Sequence, residues 1–420
     1  MVTQSRRSGI EPFHVMDVLK AAGERSRAHG DLVSLAAGQP STPAPTPVLA
    51  AAREALGSHL LGYTEALGIP ELREAIARYH HERSGVAVDA DDVIVTTGSS
   101  GGFTLIFLAA FDAGDTVVMA RPGYPAYRNT LAALGCRVVE IDCGADTRFQ
   151  PTVEMLEEHT RRAGAAPAGL IVASPANPTG TVIDPAGLAA LARWCEEHGT
   201  LLVSDEIYHG IEFSSGADAG GPAPGGPAPD GPAPDGPAGR AEALPPTSSA
   251  WETSREAVVM GSVSKYFSMT GWRLGWMLVP RGLRRAVDRL TGNMNICPPA
   301  LSQVAAVAAF SPESRAELDA HVRRYARNRA LMLEGLPSIG IGDLAPADGA
   351  FYVYADIGHL TRDSLRWSTG LLRDTGVAVT PGVDFDTRRG GATIRMSFAG
   401  AEEEIAEALD RMGSYLPHRA

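Results

Sequence analysis

An α/β fold on a mainly parallel sheet is predicted by three observations. Short β-rich apolar runs recur between residues 92 and 262. Helical stretches lie between them, and Gly, Pro or Asp punctuates the connections. Strands alternating with helices belong to parallel sheets, whose ligands bind beyond the strands' carboxyl ends.

The elements follow in order. DVIVTTG, residues 92–98, is a strand ending in glycine, and an apolar helix is predicted over 102–111. DTVVMA (115–120) is the next strand, closed by the turn RPGYP. CRVVEID (136–142) and GLIVASP (169–175) are two more. The helix after them is well marked. Asp184 is its N-cap and Pro185 its first residue. Leu188, Leu191, Ala192 and Cys195 recur at i, i+3, i+4 and i+7, and Gly199 stops it. TLLVSDE (200–206) and AVVMGS (257–262) are further strands. All residues from 216 to 239 are Gly, Ala, Pro or Asp. No side chain there can bury a sizeable apolar area, which predicts a disordered insertion over 216–246, inside one domain. Past Ala300, helices are expected over 301–310 and 314–336. A strand pair around AFYVYAD and VAVTPG, then TIRMSFA, and a helix over 401–415 complete the chain. That mixed run predicts a second, smaller α+β domain. The expected division is 1–45 joining the small domain, 46–300 as the large domain, and 301–420 as the small one.

Composition bounds the function. The chain has 420 residues, 44% of them hydrophobic, enough for a large core. A net charge of −12 argues against bulk binding to nucleic acid or anionic lipid. The cysteines (136, 143, 195 and 297) form no CxxC pair, and no metal is expected. The most apolar run, FTLIFLAAF, is less than half a membrane span. A cytoplasmic protein is expected.

Four motifs carry chemistry. In SVSKYFSMTGWRLGW, Lys265 sits among Ser262, Ser264, Tyr266, Trp272 and Trp276. A lysine just after a strand is ordinarily solvated. Partly desolvated, it would have a lowered pKa and attack a carbonyl. Arg273 and the serines would suit a phosphate. In SDEIYHG, Asp205 stands at a strand's carboxyl end with Tyr208 three residues on. The carboxylate could be a plain helix cap. It could also hold a protonated pyridine nitrogen while the phenol bonds the neighbouring ring oxygen, as a pyridoxal ring requires. In SPANPTG, two prolines and a glycine make a rigid turn around Asn177, which can both donate and accept. In TTGSSGG, small residues expose N–H groups between a strand and a helix, which is a phosphate site by geometry, although such turns are also Gly/Ser-rich for steric reasons alone.

Together, and in this order, these motifs resemble the class I/II aminotransferases among the fold-type I pyridoxal 5′-phosphate enzymes. The resemblance runs from about Val33 to the last helix. It implies a large domain with a mixed, mainly parallel seven-stranded sheet sandwiched by helices, plus a smaller α+β domain. Lys265 would be the Schiff-base lysine and proton shuttle. Asp205 would keep the pyridine nitrogen protonated, and Tyr208 and Asn177 would bond the ring oxygen. Tyr124, in RPGYPAY, would stack on the ring. Gly98, Ser99, Ser100, Ser262 and Arg273 would hold the phosphate. Tyr63 would reach the phosphate of a second subunit, which implies a homodimer with shared active sites. Arg395, in TIRMSFA, would take the substrate α-carboxylate as a bidentate pair, helped by the amide of Gly38. Amino acids and 2-keto acids are the implied substrates. Ser100 stands where some relatives place a lysine for a distal carboxylate, and Ile296 where several have a small polar residue. Both departures favour a neutral or aromatic donor, with 2-oxoglutarate or pyruvate as acceptor, while the overall likeness to aspartate aminotransferases leaves aspartate open as a donor. A lyase or ACC-synthase-like enzyme of the same fold is the alternative. A pyridoxal-phosphate-binding transcription regulator is disfavoured, since the resemblance begins too early to leave room for a DNA-binding domain.

Overall fold

The computed structural model describes residues 3–213 and 248–416. The predicted insertion over 216–246 lies outside the described residues. In chain order the elements are α1 (His14–His29), β1 (Val33–Ser34), α2 (Thr46–Ser58), α3 (Pro70–Ser84), β2 (Val93–Thr96), α4 (Gly98–Ala110), β3 (Thr116–Arg121), α5 (Pro125–Leu134), β4 (Arg137–Asp142), α6 (Val153–Ala163), β5 (Gly169–Ala173), α7 (Pro185–His198) and β6 (Leu201–Asp205). Then come β7 (Val258–Ser262), β8 (Gly275–Leu278), α8 (Arg281–Met294), α9 (Ala300–Val307), α10 (Pro312–Ser338), β9 (Asp343–Leu344), β10 (Tyr352–Asp356), α11 (Ser364–Thr375), β11 (Val377–Ala378), β12 (Thr380–Pro381), β13 (Thr393–Ser397) and α12 (Glu402–Tyr415). None of the described helices is long and apolar enough to cross a membrane.

Seven strands form the main sheet in the order β2-β8-β7-β6-β5-β3-β4. β8 runs antiparallel to both of its neighbours, and the other pairs are parallel. Strands buried on both faces explain the unbroken apolar runs. Val118, Leu170, Val172, Leu202 and Val259 face one core with α3, α6 and α7. Val117, Met119, Ile171, Val203 and Met260 face the other with α4, α5 and α8. The period of two along each strand thus sorts neighbouring residues into two layers of helices. The α7 cap is as expected: the Asp184 carboxylate accepts from the Gly187 N–H, and Gly199 closes the helix in the left-handed region.

Three expectations need correction. α4 starts at Gly98 rather than 102, so the whole GSSGG run is its first turn. The segment 275–278, left outside the predicted strands, is β8. AFYVYAD and VAVTPG are not paired with each other. The second sheet runs β12-β13-β10-β9, so TIRMS lies between them, and it is antiparallel throughout. VAVTP splits instead: Val377–Ala378 pairs in parallel with β1, and Thr380–Pro381 pairs with β13. Two-residue strands are set by their tertiary neighbours rather than by periodicity.

Candidate active site

Five parallel strands, β2, β3, β5, β6 and β7, end at one edge of the main sheet. The segments that follow them carry most of the predicted site residues. β13 and the 35–45 connection supply Arg395 and Gly38.

Asp205 is the last residue of β6 and is 3% exposed. One carboxylate oxygen accepts from the Ile207 N–H at 3.1 Å, and the other accepts from the Tyr127 hydroxyl. Burial pushes its pKa up to about 6. The bonds from Tyr127 and Ile207 and the charge on Lys265 pull it back.

Lys265 lies on the loop after β7. Its Nζ donates to the Gly38 carbonyl at 2.5 Å and stands 5.4 Å from the Tyr208 ring centre. The chain packed around it lowers its pKa to about 7. Desolvation is the main cause, Arg395 and Arg273 act in the same direction, and Asp205 opposes. A lysine at that value is substantially a free amine near neutral pH.

Arg395, on β13, is 2% exposed. Its guanidinium donates to Asn177 Oδ1 at 2.9 Å, to the Ala36 carbonyl at 3.0 Å and to Thr380 Oγ1 at 3.2 Å. It is stacked 4.3 Å from the Tyr352 ring centre and 4.8 Å from that of Phe385, and its Nε has no hydrogen-bond partner. Every one of these contacts is neutral. The bond to Asn177 also fixes that amide, leaving its NH2 group to donate elsewhere. Tyr208, fully buried, shares a 2.7 Å hydrogen bond with Tyr352. Gly38 is required sterically: a Cβ there would meet the Tyr352 hydroxyl at 2.7 Å.

Gly98, Ser99 and Ser100 form the first turn of α4, which has no side-chain cap, so its leading N–H groups are free for an anion. Gly98 has φ +67°, and a Cβ on it would meet Arg273 Nη2 at 2.5 Å. Ser262 ends β7, 2.9 Å from Ser264 Oγ. Tyr124 is the residue before α5, and its ring lies edge-on to Tyr127 and Phe13, with centroids 5.2 and 6.0 Å away. Tyr63 is not gathered in. It is 84% exposed on the connection between α2 and α3. Tyr127, Tyr352 and Phe385 were not singled out from sequence. Tyr127 alone had a signal, since YPAY places two aromatics at i and i+3 at the start of a helix.

The geometry meets an independent finding. The profile of the family "Aminotransferase class I and II" matches residues 30–412. The chain belongs to this family. A valine–pyruvate aminotransferase of Mycobacterium tuberculosis is 57% identical over 411 residues, 98% of each chain. An aspartate/prephenate aminotransferase of Thermus thermophilus is 32% identical over 415 residues, again 98% of each. The fold agrees with a crystal structure of an aminotransferase from M. tuberculosis at a TM-score of 0.90, with 57% identity and complete coverage of both chains. Class I and II aminotransferases depend on pyridoxal 5′-phosphate, and this chain is such a transaminase, acting on amino acids and 2-keto acids. The residues present fit that cofactor. An uncapped helix start under an arginine suits its phosphate, a buried carboxylate suits its ring nitrogen, and a lysine of lowered pKa suits its aldehyde.

Proposed function

We propose that the chain carries the amino group from a neutral aliphatic amino acid to a small 2-keto acid in a ping-pong cycle, with valine and pyruvate as the pair to test first. The observation that carries this is Arg395, a buried guanidinium bonded only to neutral groups. No carboxylate is bonded to it, although Asp384 attracts it without direct contact, and a buried charge so weakly paired is costly, so the site suits an anion that arrives with the substrate. In this reading the α-carboxylate binds Arg395, with the Gly38 amide beside it. Arg273 belongs to the phosphate and Lys265 to the carbonyl. Each of these three basic groups then has a partner. None is left for the second carboxylate of an acidic donor. The name of the 57% identical relative points to the same pair of substrates.

The remaining roles follow from position. Pyridoxal phosphate, when bound, supplies an electron sink for the Cα–H bond electrons. Lys265 holds the cofactor and moves the proton at substrate Cα. Asp205 accepts from the ring N–H and keeps it protonated. Tyr208 and the Asn177 NH2 group donate to the ring oxygen, and Tyr124 covers the ring. The N–H groups of Gly98, Ser99 and Ser100, with Ser262 and Arg273, hold the phosphate. Leu56, Leu60, Tyr63, Met294 and Ile296 are large and exposed. A second copy of the chain would cover them, with Tyr63 of each copy reaching the other's phosphate, in a cytoplasmic homodimer.

The test is a half-reaction panel: valine, alanine, phenylalanine, aspartate and glutamate are mixed in turn with the holoenzyme, and the absorbance of the bound cofactor is followed. Valine should convert the cofactor efficiently and pyruvate should restore it. Aspartate outpacing valine would overturn the substrate assignment.

Arg395→Lys loses the two parallel hydrogen bonds that an ammonium cannot make, so KM should rise for every α-amino acid donor, by about tenfold to a hundredfold. Misorientation of the Cα–H bond should lower kcat as well. If alanine and valine were spared and only acidic donors affected, Arg395 would be reading the side chain instead. Gly98→Ala places a Cβ against Arg273 and strains a left-handed position. The combined cost is about 2 kcal/mol or more, roughly a 30-fold weaker grip on pyridoxal phosphate. Equilibrium dialysis of the cofactor measures it.

A further inference from the structure

We propose that Tyr127 is the positioning residue of the site: its hydroxyl holds the Asp205 carboxylate ionised and aimed at the cofactor's ring nitrogen. This rests on the reading of Asp205 given above. Two bonds from two different elements reach the carboxylate. The Ile207 N–H comes from the turn after β6, and the Tyr127 hydroxyl comes from α5. With one donor on each oxygen, the plane of the carboxylate is fixed. A single backbone bond would leave it free to turn.

Tyr127 is itself tightly packed. It is 4% exposed, its ring lies 4.9 Å from Phe103 of α4 and 5.2 Å from Tyr124, and α5 opens with Pro125 at its first position. The turn before α5 is tied down by a 2.9 Å bond from the Gly123 N–H to the Phe385 carbonyl. The hydroxyl is therefore delivered by a braced helix start.

The electrostatics give the bond its purpose. The ionisable groups facing Asp205 are Tyr124 from the turn before α5, Tyr127 from α5, Tyr208 from its own turn, and Lys265 from the loop after β7. Lys265 is a free amine for much of the neutral range, so it cannot be relied on to keep Asp205 ionised. Among the groups that oppose burial at Asp205, the Tyr127 hydroxyl acts most strongly. Burial and the Asp205 charge hold the Tyr127 phenol well above its ordinary range, so it remains a donor at every working pH. A neutral Asp205 would be a poor partner for a pyridinium, since two protons would then face each other.

The experiment compares wild type, Tyr127→Phe, Asp205→Asn and the double variant in the full-length protein. Three quantities are read. The first is the titration of the Asp205 carboxyl by carbon NMR in the cofactor-free chain. The second is the pyridoxal phosphate dissociation constant. The third is the half-reaction with alanine and with valine. For Tyr127→Phe the Asp205 titration should move up by about one pH unit. The half-reaction rate should fall about tenfold to a hundredfold, equally for both donors, with KM within about twofold. In the Asp205→Asn background, Tyr127→Phe should add almost nothing, because the two act as a unit. Placing 3-fluorotyrosine at position 127 keeps ring and hydroxyl, so the core is undisturbed. Its more acidic phenol should move the Asp205 titration down.

If Asp205→Asn is crippled but neither substitution at 127 moves the Asp205 titration, the inference on Tyr127 is overturned and the reading of Asp205 stands. If Asp205→Asn turns over within a few-fold of wild type, the reading of Asp205 falls and the inference falls with it.

Discussion

Lys265→Ala should fold, bind pyridoxal phosphate and lose turnover by about 10⁴-fold or more. Folding should survive because the amine makes one hydrogen bond, to the Gly38 carbonyl, and its desolvation opposes its charge. Binding should survive because the uncapped turn at Gly98 and the Arg273 guanidinium do not depend on it. What disappears is the amine proposed to hold the cofactor and move the proton. The whole sequence contains only two lysines, Lys20 and Lys265. Borohydride reduction of the wild type followed by peptide mapping therefore has two possible side-chain outcomes, and a label on Lys20 would reject the assignment. A pH dependence follows. The amine attacks only when neutral, and its pKa lies at about 7. Covalent capture of added pyridoxal phosphate by the cofactor-free protein should accelerate as pH rises through 7 and level off about one unit above. An ordinary lysine would still be accelerating near pH 10.

Asp205→Asn should cut turnover by about 10²- to 10³-fold while the phosphate contacts keep the cofactor bound. The amide is nearly the same shape and can still accept from the Ile207 N–H, but it carries no charge for the pyridinium. Stability separates this from misfolding. The Asp205 carboxyl titrates at about 6 in the folded chain, above its ordinary range. Between that range and 6 the folded state holds the extra proton. Asp205 thus costs stability progressively as pH rises through this window, and the cost is complete above it. Asparagine has no such cost. At pH 8 the cofactor-free variant should melt at or above the wild-type temperature, and a large drop in midpoint would mean the loss of activity reflects damage to the fold.

Much of this was legible in the chain because each motif lies at a strand end. Asp205, Lys265, Asn177 and Gly98 all follow apolar runs that periodicity identifies. Each has a side chain or backbone whose chemistry is unusual in that position. The omissions share a physical cause. β8 is four residues long and antiparallel, wedged between β2 and β7, and nothing local separates it from the loop that carries Arg273. Tyr352 lies within a predicted strand, but its bond to Tyr208 spans 144 residues. Phe385 sits in a short turn, and its role as a platform under Arg395 exists only after β13 is in place. α4 began earlier than expected because Gly and Ser are poor helix formers. The small side chains there leave room for Arg273 and for Ser99, against which Gly275 is packed.

The pairing of β1 with β11 joins residues 344 apart, Val33 with Val377. Asp384 likewise caps the start of α1, accepting from the N–H groups of His14 and Val15 at 3.0 and 2.7 Å. On a ribosome, the early segment must therefore wait for partners made 344 residues later. At about 5–20 residues per second that interval is roughly 20–70 s. Throughout it, Ala36, whose carbonyl orients Arg395, has nothing to close against, and the Gly38 carbonyl can meet only the Lys265 amine. Arg395 itself emerges later still. Until then the nascent chain has the main sheet and the lysine but neither the buried Arg395 guanidinium nor the docked first helix, so the cleft closes only once β13 has been made.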